Sequence, residues 1–136
     1  RSPRPEADAD RSQNHTLEQI HRTKMAKVPQ RKLGSQGLVV SAQGLGTMGM
    51  TAFYKAEGNS EEENLKAIAK ALECGINFLD TAWIYQNFET GETNEELVGK
   101  AIKQHGREKF VIATKFGLVP SASGYGVSGK PEDLRR

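Results

Sequence analysis

Cysteine is almost missing: Cys74 stands alone among 136 residues. A single cysteine excludes a disulfide framework and a four-cysteine metal site. Histidine is scarce too, and His15, His21 and His105 do not fall at zinc-ligand spacings. No run of eighteen apolar residues occurs, so no segment reads as a membrane-spanning helix. An excess of one charge is also lacking: 19 Lys and Arg face 17 Asp and Glu, a formal net charge of +2. Nucleic-acid binding calls for a clustered basic face, and so even a balance gives no case for one. At this length the chain holds one domain at most.

What charge there is lies at one end. Residues 1–27 contain six residues of the hydrophobic set, six Lys and Arg, and four Asp and Glu. Residues 28–136 therefore hold thirteen basic and thirteen acidic residues, in balance. A segment as polar as 1–27 cannot bury enough surface to offset its ordering entropy, and it is expected to be a disordered leader. Its acids, Glu6, Asp8, Asp10 and Glu18, argue against a transit peptide, and it has no apolar stretch for secretion. The expected location is cytoplasmic, with organellar targeting by the leader left open. The sequon Asn14-His15-Thr16 has no secretory signal to give it meaning.

From Val28 the pattern changes. Arg31-Lys32-Leu33-Gly34 and Leu38-Val39-Val40-Ser41 flank Gly34-Ser35-Gln36-Gly37, which predicts a short hairpin turning on glycines. A short strand follows near 43–47. Ser60-Glu61-Glu62-Glu63 has the form of a capping box, a Ser with a Glu three residues on. Leu65, Ile68, Ala69 and Leu72 then recur on one face of a helix, and Gly75 is a natural stop. Ile76 to Asp80 predicts a strand. Thr93-Asn94-Glu95-Glu96 is a second capping box, leading Leu97, Ala101 and Ile102 to a stop at Gly106. Phe110 to Thr114 predicts another strand. Ser121–Gly129 is rich in Ser and Gly and reads as a long flexible loop. Pro131 then opens a further helix.

Strand, helix, strand, helix, strand is the order of a parallel sheet with crossover helices. The strands begin near 43, 76 and 110, the spacing of one βα unit. Eight such units make roughly 270 residues, the size of a (β/α)8 barrel. The fold expectation is α/β: the hairpin plus about two and a half βα units at the N-terminal part of a (β/α)8 barrel, filling 28–136 and leaving it incomplete.

In such barrels reactive groups gather at the carboxyl ends of the strands. Asp80 ends one strand, Tyr85 follows in the loop, and Lys115 directly follows the next strand. Singly these residues read as a turn residue, a packing residue and a solvent-facing charge. Together they form a chemical unit. A phenol with a pKa of about 10 is a weak acid at neutral pH. A nearby ammonium favours its ionised form, and a carboxylate holds that ammonium charged and oriented. Such a unit can protonate a carbonyl oxygen as hydride reaches the carbon.

Four motifs, in order, resemble those of the aldo-keto reductases. They are Gly44-Leu45-Gly46-Thr47-Met48-Gly49, Gly75 to Ala82 with Tyr85 following, Asn94 to Lys100, and Ala113-Thr114-Lys115-Phe116-Gly117. The resemblance runs from about Lys32 to Leu134 and is nearest the perakine-reductase-like branch. It implies a (β/α)8 barrel, the cofactor NADP(H), and reduction of small-molecule aldehydes or ketones to alcohols. By the same resemblance Asp80, Tyr85 and Lys115 are catalytic, with Tyr85 the proton donor. Gly46, Thr47, Met48 and Asp80 are the cofactor-binding residues it implies, the first three beside the nicotinamide ribose. Two features depart from the pattern. Gln86 stands where a Gly usually follows the tyrosine. The family's fourth catalytic residue is a histidine ending the fourth strand, and no histidine follows His105.

Gly44-x-Gly46-x-x-Gly49 also has the form of a dinucleotide-binding fingerprint. That motif needs a helix opening at its glycines and an acid about twenty residues on. Here the first predicted helix begins near Ser60, which argues against it. The reading is thus an oxidoreductase, with residues 1–136 alone expected to be inactive. The alternatives are a related protein used for binding or regulation, and a truncated product.

Overall fold

The structure, a computed structural model, describes residues 27–54 and 59–134. The disorder expected of 1–27 falls, but for Lys27, outside the described residues.

The hairpin forms where the glycines predict it. β1 (Gln30–Leu33) and β2 (Leu38–Ser41) run antiparallel, with Leu33 opposite Leu38. Gly34 and Gly37 turn the chain at φ 68° and 88°, angles that glycine alone adopts freely. Ser41 then fastens the hairpin to the rest. Its hydroxyl accepts the N–H groups of Asn77 and Phe78, and its own N–H donates to Asn77 Oδ1 at 2.7 Å. Asn77 precedes a strand of the main sheet, so the hairpin sits at that sheet's amino-terminal end.

The main sheet is parallel, in the order β3 (Gly44–Gly46), β4 (Phe78–Asp80), β5 (Val111–Ala113). Its rows are Gly44–Phe78–Val111, Leu45–Leu79–Ile112 and Gly46–Asp80–Ala113. Successive side chains face opposite sides of a sheet, so the middle row turns one way and the outer rows the other. The middle row meets the helices. α1 (Glu61–Glu73) connects β3 to β4, and α2 (Asn94–His105) connects β4 to β5. Leu79 is fully buried among Ile68, Val98, Ala101 and Phe110, with Leu45 and Ile112 packed alongside. Burying one such side chain contributes about 1.5–3 kcal/mol, and this cluster holds the two βαβ units together. On the opposite face the Phe78 ring lies so near Gly44 that a β-carbon there would approach it to 3.1 Å.

Both predicted caps are in place. Ser60 Oγ accepts the Glu63 N–H and Thr93 Oγ1 accepts the Glu96 N–H, each at 3.2 Å. The helices end at Gly75 (φ 84°) and Gly106 (φ 101°). The buried stripe of α1 departs slightly from its periodicity: Asn64, Ile68 and Ala71 are buried, not Ala69.

One expectation is overturned. The segment read as a flexible loop, Ser121–Gly129, holds β7 (Gly124–Val127) and the last residue of β6 (Leu118–Ser121), and the two strands form an antiparallel hairpin with Ser121 opposite Gly124. Gly124 turns it at φ 117°. Serine and glycine have the same backbone donors and acceptors as any strand residue, and composition hid the pairing. α3 (Pro131–Leu134) follows with proline at its start. Among the described residues no helix is long and apolar enough to cross a membrane, and no cluster of His, Cys, Asp and Glu suits a metal ion.

Candidate active site

The strand ends place the site. Gly46, Asp80 and Ala113 lie in one row at the carboxyl end of the sheet. Beyond it, the Thr81 N–H donates to Ala113 O at 2.9 Å and the Trp83 N–H to Lys115 O at 3.1 Å. The chain leaving β4 therefore runs beside the chain leaving β5, which brings Lys115 to Asp80.

Lys115 Nζ has three protons and no lone pair, and each proton has an acceptor. One goes to Asp80 Oδ1 in an ion pair, one to Thr81 O at 2.9 Å, and one to the Tyr85 hydroxyl at 3.2 Å. A phenol oxygen that accepts from an ammonium keeps its own proton for another acceptor. The ammonium also lies 4.8 Å from the Tyr85 ring centroid. Burial opposes the charge on Lys115, but the hydrogen bonds to Asp80 and Tyr85 and the Asp80 charge outweigh it. The pKa of Lys115 is raised above the ordinary lysine value, so the ammonium stays charged through neutral pH. The side chains of Lys115 and Asp80 are 49% and 42% exposed. An ion pair that open contributes little stability, so its effect lies in orientation. An apolar pocket lined by Trp83, Ile84, Phe116 and Leu118 abuts Tyr85 and Lys115.

The residues assigned to the cofactor divide. Gly46 is exposed, and a β-carbon built on it meets no atom within 4 Å. The face beside Asp80 is open there. Met48 is half-buried and begins the short turn Met48–Met50. Thr47 is completely buried. Its hydroxyl lies 2.9 Å from Asp80 O and also faces Asn94 Oδ1, and its N–H donates to Asp80 O at 3.0 Å. The structure gathers Gly46, Asp80, Tyr85 and Lys115 at one mouth and turns the Thr47 hydroxyl inward. Gln86 sits in a backbone bridge with Thr93, so the loop accommodates it without glycine. The Gly44–Gly49 run lies on β3 and the single 3-10 turn Met48–Met50, and α1 starts only at Glu61; no α-helix opens at these glycines. His105 ends α2, half-buried, with its ring 6.4 Å from that of Phe110. It lies a full helix away from the site.

Asn94 is the residue that the sequence reading passes over. It is 1% exposed at the first position of α2, and its side chain joins the segments around Thr47, Thr51 and Thr81. A signal for it exists. Asn94, Leu97, Val98 and Ala101 are the buried residues of α2, so this asparagine continues the apolar stripe at helical spacing.

Residues 43–136 match the Aldo/keto reductase family. Probable aldo-keto reductase 1 of Glycine max is 42% identical over 113 residues, which is 81% of this chain and 31% of that protein. Aldo-keto reductase AKR11C1 of Bacillus halodurans, solved in its holo form, is 32% identical. It superposes with a TM-score of 0.61 over 79% of this chain and 33% of its own. The Pseudomonas aeruginosa protein PA4992, classed with the aldo-keto reductases, gives a TM-score of 0.65 at 27% identity over 87% of this chain and 42% of its own. The chain thus spans about a third of the length of the curated relative. It belongs to the aldo/keto reductase family, and its parallel strands are the N-terminal part of that family's (β/α)8 barrel.

Proposed function

We propose that this chain carries the proton-donating side of an NADP(H)-dependent oxidoreductase that reduces aldehydes and ketones to alcohols, with Tyr85 as the general acid. The observation that carries the reading is the Lys115 ammonium, which bridges the Asp80 carboxylate and the Tyr85 oxygen at the strand ends. A carbonyl substrate lodged against Trp83 and Phe116 brings its oxygen to the Tyr85 hydroxyl. The phenol proton passes to that oxygen. The positive charge of Lys115 offsets the negative charge left on the phenol, and Asp80 keeps the ammonium in place. General acid catalysis of this kind contributes about 10²–10⁴ in rate.

The residues present fit the nicotinamide end of the cofactor. Gly46 leaves open space where any other residue would project a side chain. Gly46 and Met48 would border the ribose, Asp80 would face it, and Thr47 would shape the backbone from within. When bound, the dihydronicotinamide supplies the hydride that reduces the carbonyl carbon.

The test is Tyr85→Phe in the protein with its complete barrel, followed by NADPH oxidation with 4-nitrobenzaldehyde. Turnover is expected to fall by about 10²-fold or more, while NADPH still quenches protein fluorescence. Unchanged turnover refutes the role of Tyr85. NADH in place of NADPH is expected to give the lower kcat/KM. Binding of NADPH with no reduction of any carbonyl, in the unsubstituted protein, would favour a binding or regulatory protein instead.

A further inference from the structure

We infer that Asn94 is a positioning residue, which sets the Tyr85 loop against the strand ends. Its side chain uses its whole hydrogen-bonding capacity. Oδ1 faces the Thr47 hydroxyl and accepts from Thr81 Oγ1 at 2.7 Å. Nδ2 donates to Thr47 O at 2.8 Å and to Thr51 Oγ1 at 2.7 Å. An amide offers two acceptor sites and two donor protons, and all four are engaged. The partners come from the turn after β3 and from the residue that follows Asp80, both part of the mouth.

The link to Tyr85 is direct. Thr51 accepts from Asn94 and donates its own proton to Tyr85 O at 2.9 Å. The Asn94 N–H reaches the same carbonyl at 3.0 Å. The backbone of Tyr85 is thus anchored twice through one residue. Its hydroxyl meets Lys115 at the far end of the ring, so a shift at the anchor is carried to the phenol. Leucine has the same branched skeleton and would continue the apolar stripe of α2. It would also strip the Thr81 hydroxyl of its bond to Oδ1 and take one of two partners each from the Thr47 hydroxyl, the Thr51 hydroxyl and Thr47 O, and buried polar groups are seldom left short of partners. Packing alone does not account for an asparagine here.

The consequence for catalysis rests on the reading of Tyr85 as the acid; the geometric claim does not. The test labels tyrosine with carbon-13 at Cζ and follows Tyr85 by NMR, assigned through Tyr85→Phe. Lys115→Met provides the resonance position of Tyr85 without the ammonium. In a cooperatively melting Asn94→Leu protein, the Tyr85 resonance is expected to move toward that position while Tyr54 and Tyr125 stay. Thr51→Val cuts only the relay from Asn94 to Tyr85 O. It is expected to shift the resonance less, in the same direction, and serves if Asn94→Leu does not fold. Displacement of a reacting group by about 1 Å costs on the order of 10²-fold, so kcat for 4-nitrobenzaldehyde should fall by about tenfold or more with substrate KM little changed. A folded variant whose Tyr85 resonance does not move overturns the inference. A protein that turns over no carbonyl refutes the reductase reading instead, and the resonance still decides the role of Asn94.

Discussion

On the proposed reading, the site's chemistry depends on Lys115. Its three donors join Asp80, Thr81 and Tyr85, and no other side chain among them carries positive charge. Replacement by methionine keeps an unbranched side chain one atom shorter and removes the charge. Lys115→Met is expected to lower carbonyl reduction by about 10²-fold, the scale of losing one preorganised electrostatic partner, measured as NADPH oxidation at saturating substrate. The same residue makes a pH prediction. Its pKa in the folded protein is raised, so its contribution to stability is complete below the ordinary lysine pKa and is lost as pH climbs through the folded value. The stability gap between the unsubstituted protein and Lys115→Met should hold level from neutral pH to about 10 and narrow above that. The pair is half exposed, so the gap should stay within about 0–1 kcal/mol. Urea denaturation at a series of pH values measures it. A gap that widens at high pH would contradict the assigned ion pair.

The elements depend on local chemistry that the sequence displays openly. Ser60 and Thr93 cap their helices as the Glu three residues on predicts. Gly75 takes φ 84°, and a β-carbon there would come within 3.3 Å of the Val28 nitrogen. Gly75→Ala should therefore cost about 1–2 kcal/mol, the strain of a left-handed residue. Thr93→Ala should cost about 1 kcal/mol for the lost cap. Thermal melts compare the two, and an unchanged Tm in either would remove its mechanism. The placement of Asp80 and Lys115 at adjacent strand ends, with Tyr85 in the loop after the first, was equally legible, since chain order alone sets it. Asn94 was legible only as a polar residue in line with the apolar stripe of α2; its partners Thr47 and Thr51 lie 47 and 43 positions away, and no local pattern records those contacts. β6 and β7 were hidden for a related reason. Their pairing uses backbone groups, and the ring contact of Tyr125 with Phe88 at 6.4 Å joins segments that the sequence keeps apart.

At the scale of the whole molecule the 33-residue spacing of the strands is what announced a barrel, and the parallel register of β3, β4 and β5 realises it. A barrel is stable because closure leaves no strand edge. In the described sheet β3 and β5 are the outer strands, and the face opposite the helices presents Phe78, Val111 and Ala113, all partly exposed. Backbone groups on an open edge pair readily with another chain. Residues 1–136 produced as a separate polypeptide should therefore self-associate, and they should not turn over NADPH, because Tyr85 and Lys115 would face water instead of an enclosed substrate. Size-exclusion chromatography with light scattering, run beside the NADPH assay, tests both statements on one sample. A monomer that reduces 4-nitrobenzaldehyde would show that three strands suffice to enclose the reacting groups. An associated but active sample would separate the two claims, upholding the open edges and removing the need for closure.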